Sequence, residues 1–214
     1  MTVGFFNVDR GEGIHRACAH LMIGSVRRTM PGVRIVQFSD ETTRAIPGVD
    51  EIIRGISAPL TVMIARHYRE CLGDWLFIDT DVVIQQDVRP VCARPWDVAV
   101  AARGEGTPAD AGWPRRELWR VMPFNCGVIF SRSSAFWTAV ADRIDAFPAE
   151  TQAFMGVQLA VNDLIAEGAW RAEVLSPTFN YAPHLEHEDV SAYAVVHYKG
   201  FGRKQWMLDR LVAA

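Results

Sequence analysis

Residues 75–84 read WLFIDTDVVI, two carboxylates set in the middle of a run that is otherwise apolar. Four large apolar residues precede Asp79 and three follow Asp81. Such a run is the signature of a strand buried on both faces, which places it inside a sheet covered by helices. Ionised carboxylates do not enter such surroundings alone, because desolvating one costs several kcal/mol or more. In an extended segment residues i and i+2 point to the same side, so Asp79 and Asp81 can converge on one cation. Oxygen ligands suit magnesium, manganese or calcium. The plainer reading is a strand end with two solvated aspartates, or an Asp-capped turn.

The rest of the chain has the alternation that a covered sheet needs. TVGFF predicts a first strand; residues 13–30 place Ile14, Ala17, Cys18, Leu21, Met22 and Val26 at helical spacing, ended by Pro31-Gly32. VRIVQF and EIIRG predict strands, and Pro59 opens a helix carrying Leu60, Met63, Ile64, His67, Cys71 and Leu72 on one stripe until Gly73. After the carboxylate strand come strands at DVAVAAR and CGVIFS, helices at about 135–147 and 156–166, and a last strand at YAVVHY. The expected class is α/β: a mixed, mostly parallel sheet with helices on both faces, formed as one domain over residues 1–214.

Charge excludes some partners. A net charge of −3 gives no field for nucleic acid or anionic membranes. No segment reaches transmembrane length, and MTVGFFNVDRGEG has no basic region followed by an apolar core. The four cysteines are far apart and form no CxxC pair. A reduced, cytoplasmic chain is the expectation.

Two enzyme classes fit the paired aspartates. DTDVV matches the D-x-D-x-[TV] string of haloacid-dehalogenase-type phosphatases, where the first Asp is the nucleophile and the second a general acid. That string resembles a first-strand motif, however, and here other strands precede it. The alternative is a nucleotide-sugar glycosyltransferase of the GT-A (Rossmann-like) type, in which DxD ends a mid-chain strand and holds a metal under a diphosphate. Three further segments strengthen this resemblance. FNCGVIF (124–130) resembles the Asn-x-Gly strand of the retaining glycogenin-like and lipopolysaccharide galactosyltransferase-like family, glycosyltransferase family 8. GVQLAVNDLI resembles that family's D-Q-x-x-x-N helix, and VVHYKGFGRKQW its C-terminal H-x-x-G-x-x-K-P-W signature. SPTFNY looks like the segment before that signature, and the order agrees over most of the chain.

The resemblance implies a metal-dependent transfer of a sugar from a nucleoside diphosphate, of the UDP class, to a carbohydrate or other hydroxyl acceptor, with retention. Asp79, Asp81 and His197 would hold the metal, manganese or magnesium, and an imidazole ligand favours manganese over calcium. Lys204, or Arg203 beside it, would hold the phosphates; Gly200 and Gly202 would let backbone approach them. Arg66, Thr80, Asn7 and Asp9 complete the donor-binding set, the last two at the carboxyl end of the first strand. Asn125 and Gln158 are the candidates at the reacting sugar. Two departures stand out: Val157 replaces the acid expected before Gln158, and Lys204 lies one residue late, with Gln205 where proline is usual. A degenerate chain that binds a nucleotide sugar without transferring it stays open. WPRRELWR (113–120) offers groups for an acceptor, and HLEHE (184–188) could hold a second metal, though a plain polar loop explains either.

Overall fold

The computed structural model describes residues 1–8, 13–103 and 122–212; Asp9 and the WPRRELWR segment lie outside them. The chain runs through β1 (Thr2–Phe6), α1 (Gly13–Thr29), β2 (Arg34–Asp40), β3 (Glu51–Gly55), α2 (Leu60–Tyr68), β4 (Trp75–Ile78) and β5 (Val82–Ile84). It continues with β6 (Val98–Ala102), β7 (Phe124–Ser131), α3 (Ser134–Asp145), α4 (Ala149–Phe154) and α5 (Gly156–Ala166). Last come β8 (Ala172–Leu175), β9 (Val195–His197) and α6 (Phe201–Val212).

Among the described residues, seven strands form one sheet in the order β3-β2-β1-β4-β7-β6-β8. β7 runs antiparallel to both neighbours and every other pairing is parallel. One face carries a core of α2, α3 and α5 residues, with Phe38, Phe77, Ile129, Trp137 and Val161. The other carries α1 and α6 together with a second, two-stranded sheet of β5 and β9, burying Met22, Ile35, Leu76, Ile84 and Val195. Burying side chains on both faces is what the near-continuous apolar strands require. The class is α/β with the Rossmann-like, mostly parallel sheet that the sequence pattern predicts.

Local differences bear on the site. The run WLFIDTDVVI is two strands, not one: β4 belongs to the main sheet, the chain turns at Asp79–Asp81, and β5 pairs antiparallel with β9. The HxxG signature segment after His197 enters a helix, α6, opened by Gly200 at φ 84°. Leu72, expected on a buried stripe, is 80 % exposed beyond the end of α2.

Ser25 on α1 joins the two halves of this arrangement. Its buried hydroxyl donates to the Met22 carbonyl at 2.7 Å and accepts the Ile84 N–H of β5 at 3.0 Å. Ser25→Ala leaves that amide without its acceptor, at a cost of about 1–3 kcal/mol. A urea titration should show a lower midpoint with an unchanged slope; an unchanged midpoint would mean the bond contributes nothing.

Candidate active site

The carboxyl ends of β1 and β4, the start of β7 and the helices above them enclose a cavity of about 510 Å³. The turn between β4 and β5 forms part of its wall, with Asp79, Thr80 and Asp81 all lining it. Backbone hydrogen bonds hold the turn on both sides. Asp79 N–H donates to the Gly127 carbonyl at 2.9 Å, and the Asp81 carbonyl accepts the Tyr198 N–H at 2.8 Å. The β5–β9 register sets Val82 opposite His197, which brings the imidazole onto the turn from the far end of the sequence.

Three acceptor atoms therefore meet. His197 Nε2 lies 3.5 Å from Asp79 Oδ2 and 3.3 Å from Asp81 Oδ1. Asp79, Asp81 and His197 each present one ligand atom within 4.8 Å of the others. His197 Nδ1 sits 3.0 Å from Asn180 Oδ1. Asn180 is oriented by its own amide nitrogen, which donates to the Asn125 carbonyl at 2.9 Å and Asn125 Oδ1 at 3.1 Å. Its oxygen thus faces the ring and accepts from Nδ1–H, which leaves Nε2 toward the two carboxylates. A neutral ring in that orientation presents its Nε2 lone pair to a cation shared with the carboxylates, and a protonated ring pairs with them directly. Two carboxylates and one imidazole suit a first-row transition ion such as manganese better than calcium.

Electrostatics separate the two aspartates. Surrounding protein raises the Asp79 carboxyl above the ordinary range, with His197 and Lys204 pulling it back and Asp81 adding to the rise, though its side chain is 58 % exposed against 6 % for Asp81. Burial also raises Asp81, but His197 and then Lys204 outweigh it and hold that carboxyl well below the ordinary range. Lys204 donates from Nζ to Asp81 Oδ2 at 2.5 Å, and both side chains are nearly inaccessible.

The other sequence candidates divide. Asn7, Asn125 and Gln158 line the cavity with Thr80 and Lys204. Gln158 reaches down from α5 to the start of β7, accepting from Cys126 N–H at 3.0 Å and donating to the Phe124 carbonyl. Asn125 Oδ1 accepts from Gly127 N–H at 3.0 Å. Both amides are engaged with backbone rather than pointing wholly at a ligand. Arg66 is not brought to the cavity: it lies on the exposed side of α2, 4.0 Å from the Asp145 carboxylate. Its neighbours Leu60, Thr61, Ile64 and Tyr68 are the ones that line it; two residues past Ile64, a side chain has turned about 200° around the helix. Gly200 starts α6 and is not among the lining residues, and Arg203 donates to the Lys199 carbonyl at 2.8 Å. Trp206 is half-buried against the α1 face. In HLEHE, Glu188 is engaged by the Tyr181 hydroxyl and by the His184 and Leu185 amides.

Two contributors have no candidate role in the sequence reading. Asn180 orients the histidine, and Gly127 makes room for it. A Cβ on Gly127 would collide with the His197 ring and stand 2.8 Å from Asp79 Oδ2. The Asn-x-Gly string carried the second signal; nothing local to SPTFNY distinguishes Asn180 from a turn asparagine.

Partners of metal-ligating histidines typically contribute 10–100-fold to affinity. Asn180→Ala should lower manganese affinity by about that factor in a titration, while Asn180→Asp, which keeps an acceptor on Nδ1, should stay within a few-fold. Equal affinities for wild type and Asn180→Ala would remove the orienting role.

Neither a family model nor a curated protein sequence matches the chain. Solved structures do. The galactosyltransferase LgtC, in complex with donor and acceptor sugar analogues, superposes with a TM-score of 0.61 at 14 % identity, covering 100 % of this chain and 94 % of that one. A glycosyltransferase involved in glycosylation of the major capsid of PBCV-1 gives 0.66 at 14 % identity, with 100 % of both chains covered. The glycosyltransferase GlyE of Streptococcus pneumoniae gives 0.62 at 14 % identity over 99 % of this chain and 63 % of that one. The whole described chain has the GT-A fold of these glycosyltransferases.

Proposed function

We propose that this chain is a divalent-metal-dependent glycosyltransferase that moves a sugar from a nucleoside diphosphate, of the UDP class, to a hydroxyl acceptor with retention. One observation carries the reading: within a glycosyltransferase fold, Asp79, Asp81 and His197 converge beside a cavity of about 510 Å³ whose wall includes both aspartates. Asp79, Asp81 and His197 are the residues that would hold manganese or magnesium. A bound divalent ion there neutralises charge on a diphosphate leaving group, the kind of electrostatic stabilisation that dominates such reactions.

The chain's own residues divide the remaining work. Asn7, at the carboxyl end of β1, offers an amide with both donor and acceptor to the nucleoside, and Thr80 lies between the two aspartates facing the same space. Lys204 would hold the phosphates, a role supported by its position in the cavity wall, whereas Arg203 donates to the Lys199 carbonyl. Binding a diphosphate requires Lys204 to share its ammonium between Asp81 and a phosphate oxygen, which its three donors allow. Asn125 and Gln158 set the floor beneath the reacting sugar by fixing the backbone of Phe124–Gly127. We read residues 1–214 as one functional unit.

Nucleotide binding supplies the test. With manganese present, UDP at a hundred times its Kd adds ~2.7 kcal/mol to stability, a rise of about 5–10 °C in Tm for a chain of this size. With EDTA the rise should nearly vanish; equal rises in both buffers would overturn metal dependence. p-Nitrophenyl phosphate separates the phosphatase alternative. Turnover that Asp79→Asn abolishes and His197→Ala leaves intact would replace the transferase reading, and no turnover is expected.

A further inference from the structure

The wall of the cavity includes a tyrosine, Tyr68, the last residue of α2, and only 5 % of it is exposed. It stands one turn after Ile64 and so turns to the cavity side of the helix, away from the direction that Arg66 takes toward Asp145. Its ring is pinned on three sides. It stacks on Phe77 with centroids 3.7 Å apart, and meets Trp137 at 4.9 Å and Phe38 at 5.3 Å edge-on. Phe77 belongs to β4 and precedes Asp79 by two residues. The phenol oxygen lies on the ring axis, so fixing the ring fixes the oxygen.

That hydroxyl meets no hydrogen-bond partner among the described residues, although buried tyrosines usually find one. The neighbouring Trp137 indole N–H is unpartnered too, but it is sealed from solvent. Among the described residues, Ser131 Oγ and Trp137 Nε1 are the side-chain polar atoms both sealed and unpartnered, so the Tyr68 oxygen keeps contact with the cavity. Burial holds the phenol well above its ordinary range, and the Asp79 carboxylate adds to that rise. Tyr68 is thus a neutral O–H group close enough to Asp79 to feel its charge. A ligand that fills the cavity displaces solvent from this oxygen and must offer a partner in its place, or bind more weakly. Phosphate oxygens accept such a bond, and sugar hydroxyls can accept or donate one.

We propose that Tyr68 binds the nucleotide sugar: its hydroxyl forms a hydrogen bond with an oxygen of that ligand, in the UDP part or in the sugar, beside Asp79. The inference rests on the nucleotide-sugar reading above and adds to it a contact that the sequence does not announce, since Tyr68 lies off the apolar stripe read for α2. Tyr68 belongs to the core layer of α2, α3 and α5, whereas β9 and α6, which carry His197 and Lys204, pack on the opposite face of the main sheet. A ligand in the cavity is then gripped from both layers. A site with a fixed polar group of this kind discriminates against ligands that leave the group unmatched.

The test is Tyr68→Phe, which deletes the hydroxyl and keeps the ring. Calorimetric titrations of the manganese-loaded protein with UDP, UDP-glucose and UDP-galactose compare the variant with wild type. At least one of these ligands should bind the variant about tenfold more weakly. A loss confined to the sugar nucleotides assigns the contact to the sugar; an equal loss for UDP assigns it to the UDP part. The ligand-free variant should melt at or above the wild-type temperature, because removing an unpartnered hydroxyl breaks no bond, and its manganese affinity without nucleotide should be unchanged. A lower melting temperature or weaker manganese binding would make Tyr68 a structural residue and overturn the inference. UDP and both sugar nucleotides binding the variant as tightly as wild type would also overturn it, and would leave the nucleotide-sugar reading standing. Failure of all three ligands to bind wild type with manganese overturns both.

Discussion

Everything in the site follows from a convergence that the backbone imposes. Three acceptor atoms, one from each of Asp79, Asp81 and His197, are held within 4.8 Å of each other. Main-chain hydrogen bonds bring them there. The β4–β5 turn is fixed by Asp79 N–H on the Gly127 carbonyl and by the Tyr198 N–H on the Asp81 carbonyl. The histidine is fixed by the β9 ladder and by Asn180. Main-chain hydrogen bonds hold these groups at a spacing that could hold a divalent cation, and Lys204 reaches only the Oδ2 oxygen of Asp81.

The sheet explains how distant residues arrive at one point. β4 and β1 run parallel, so their carboxyl ends open on the same side, where ligands of open α/β sheets collect. β7 enters antiparallel to β4, so its beginning, Asn125–Gly127, faces the end of β4. The small β5–β9 sheet then delivers His197 and the start of α6 from the other face of the molecule. Gly127 is the point where these pieces touch, and the lack of a side chain there is what lets the imidazole and the Asp79 carboxylate share the space.

Much of this was legible in the residues, for physical reasons that also mark where the reading stopped. Strands buried on both faces announce themselves by composition, and the parallel class followed from their alternation with helical stripes. The carboxylates stood out because charge inside an apolar run demands a partner. The break at Asp79–Asp81 was hidden, since Val82–Ile84 is as buried in its own small sheet as Trp75–Ile78 is in the large one. β8 left little mark: it is an edge strand with only Leu175 buried. The helix α6 was masked by the two glycines at its start. Arg66 stands apart from the cavity because its angle on α2 turns it to the exposed side, 4.0 Å from Asp145. Asn180 earned no role because its use depends wholly on a neighbour 17 residues away.

The central claim is that Asp79, Asp81 and His197 form one divalent-cation site with the imidazole as a direct ligand. Pulsed electron paramagnetic resonance on the manganese-loaded protein tests it at the level of atoms. The account predicts a single bound ion per chain with nitrogen-14 coupling of a directly coordinated imidazole, absent in His197→Ala. A bound ion with oxygen ligands alone, and a signal indifferent to His197, would contradict it.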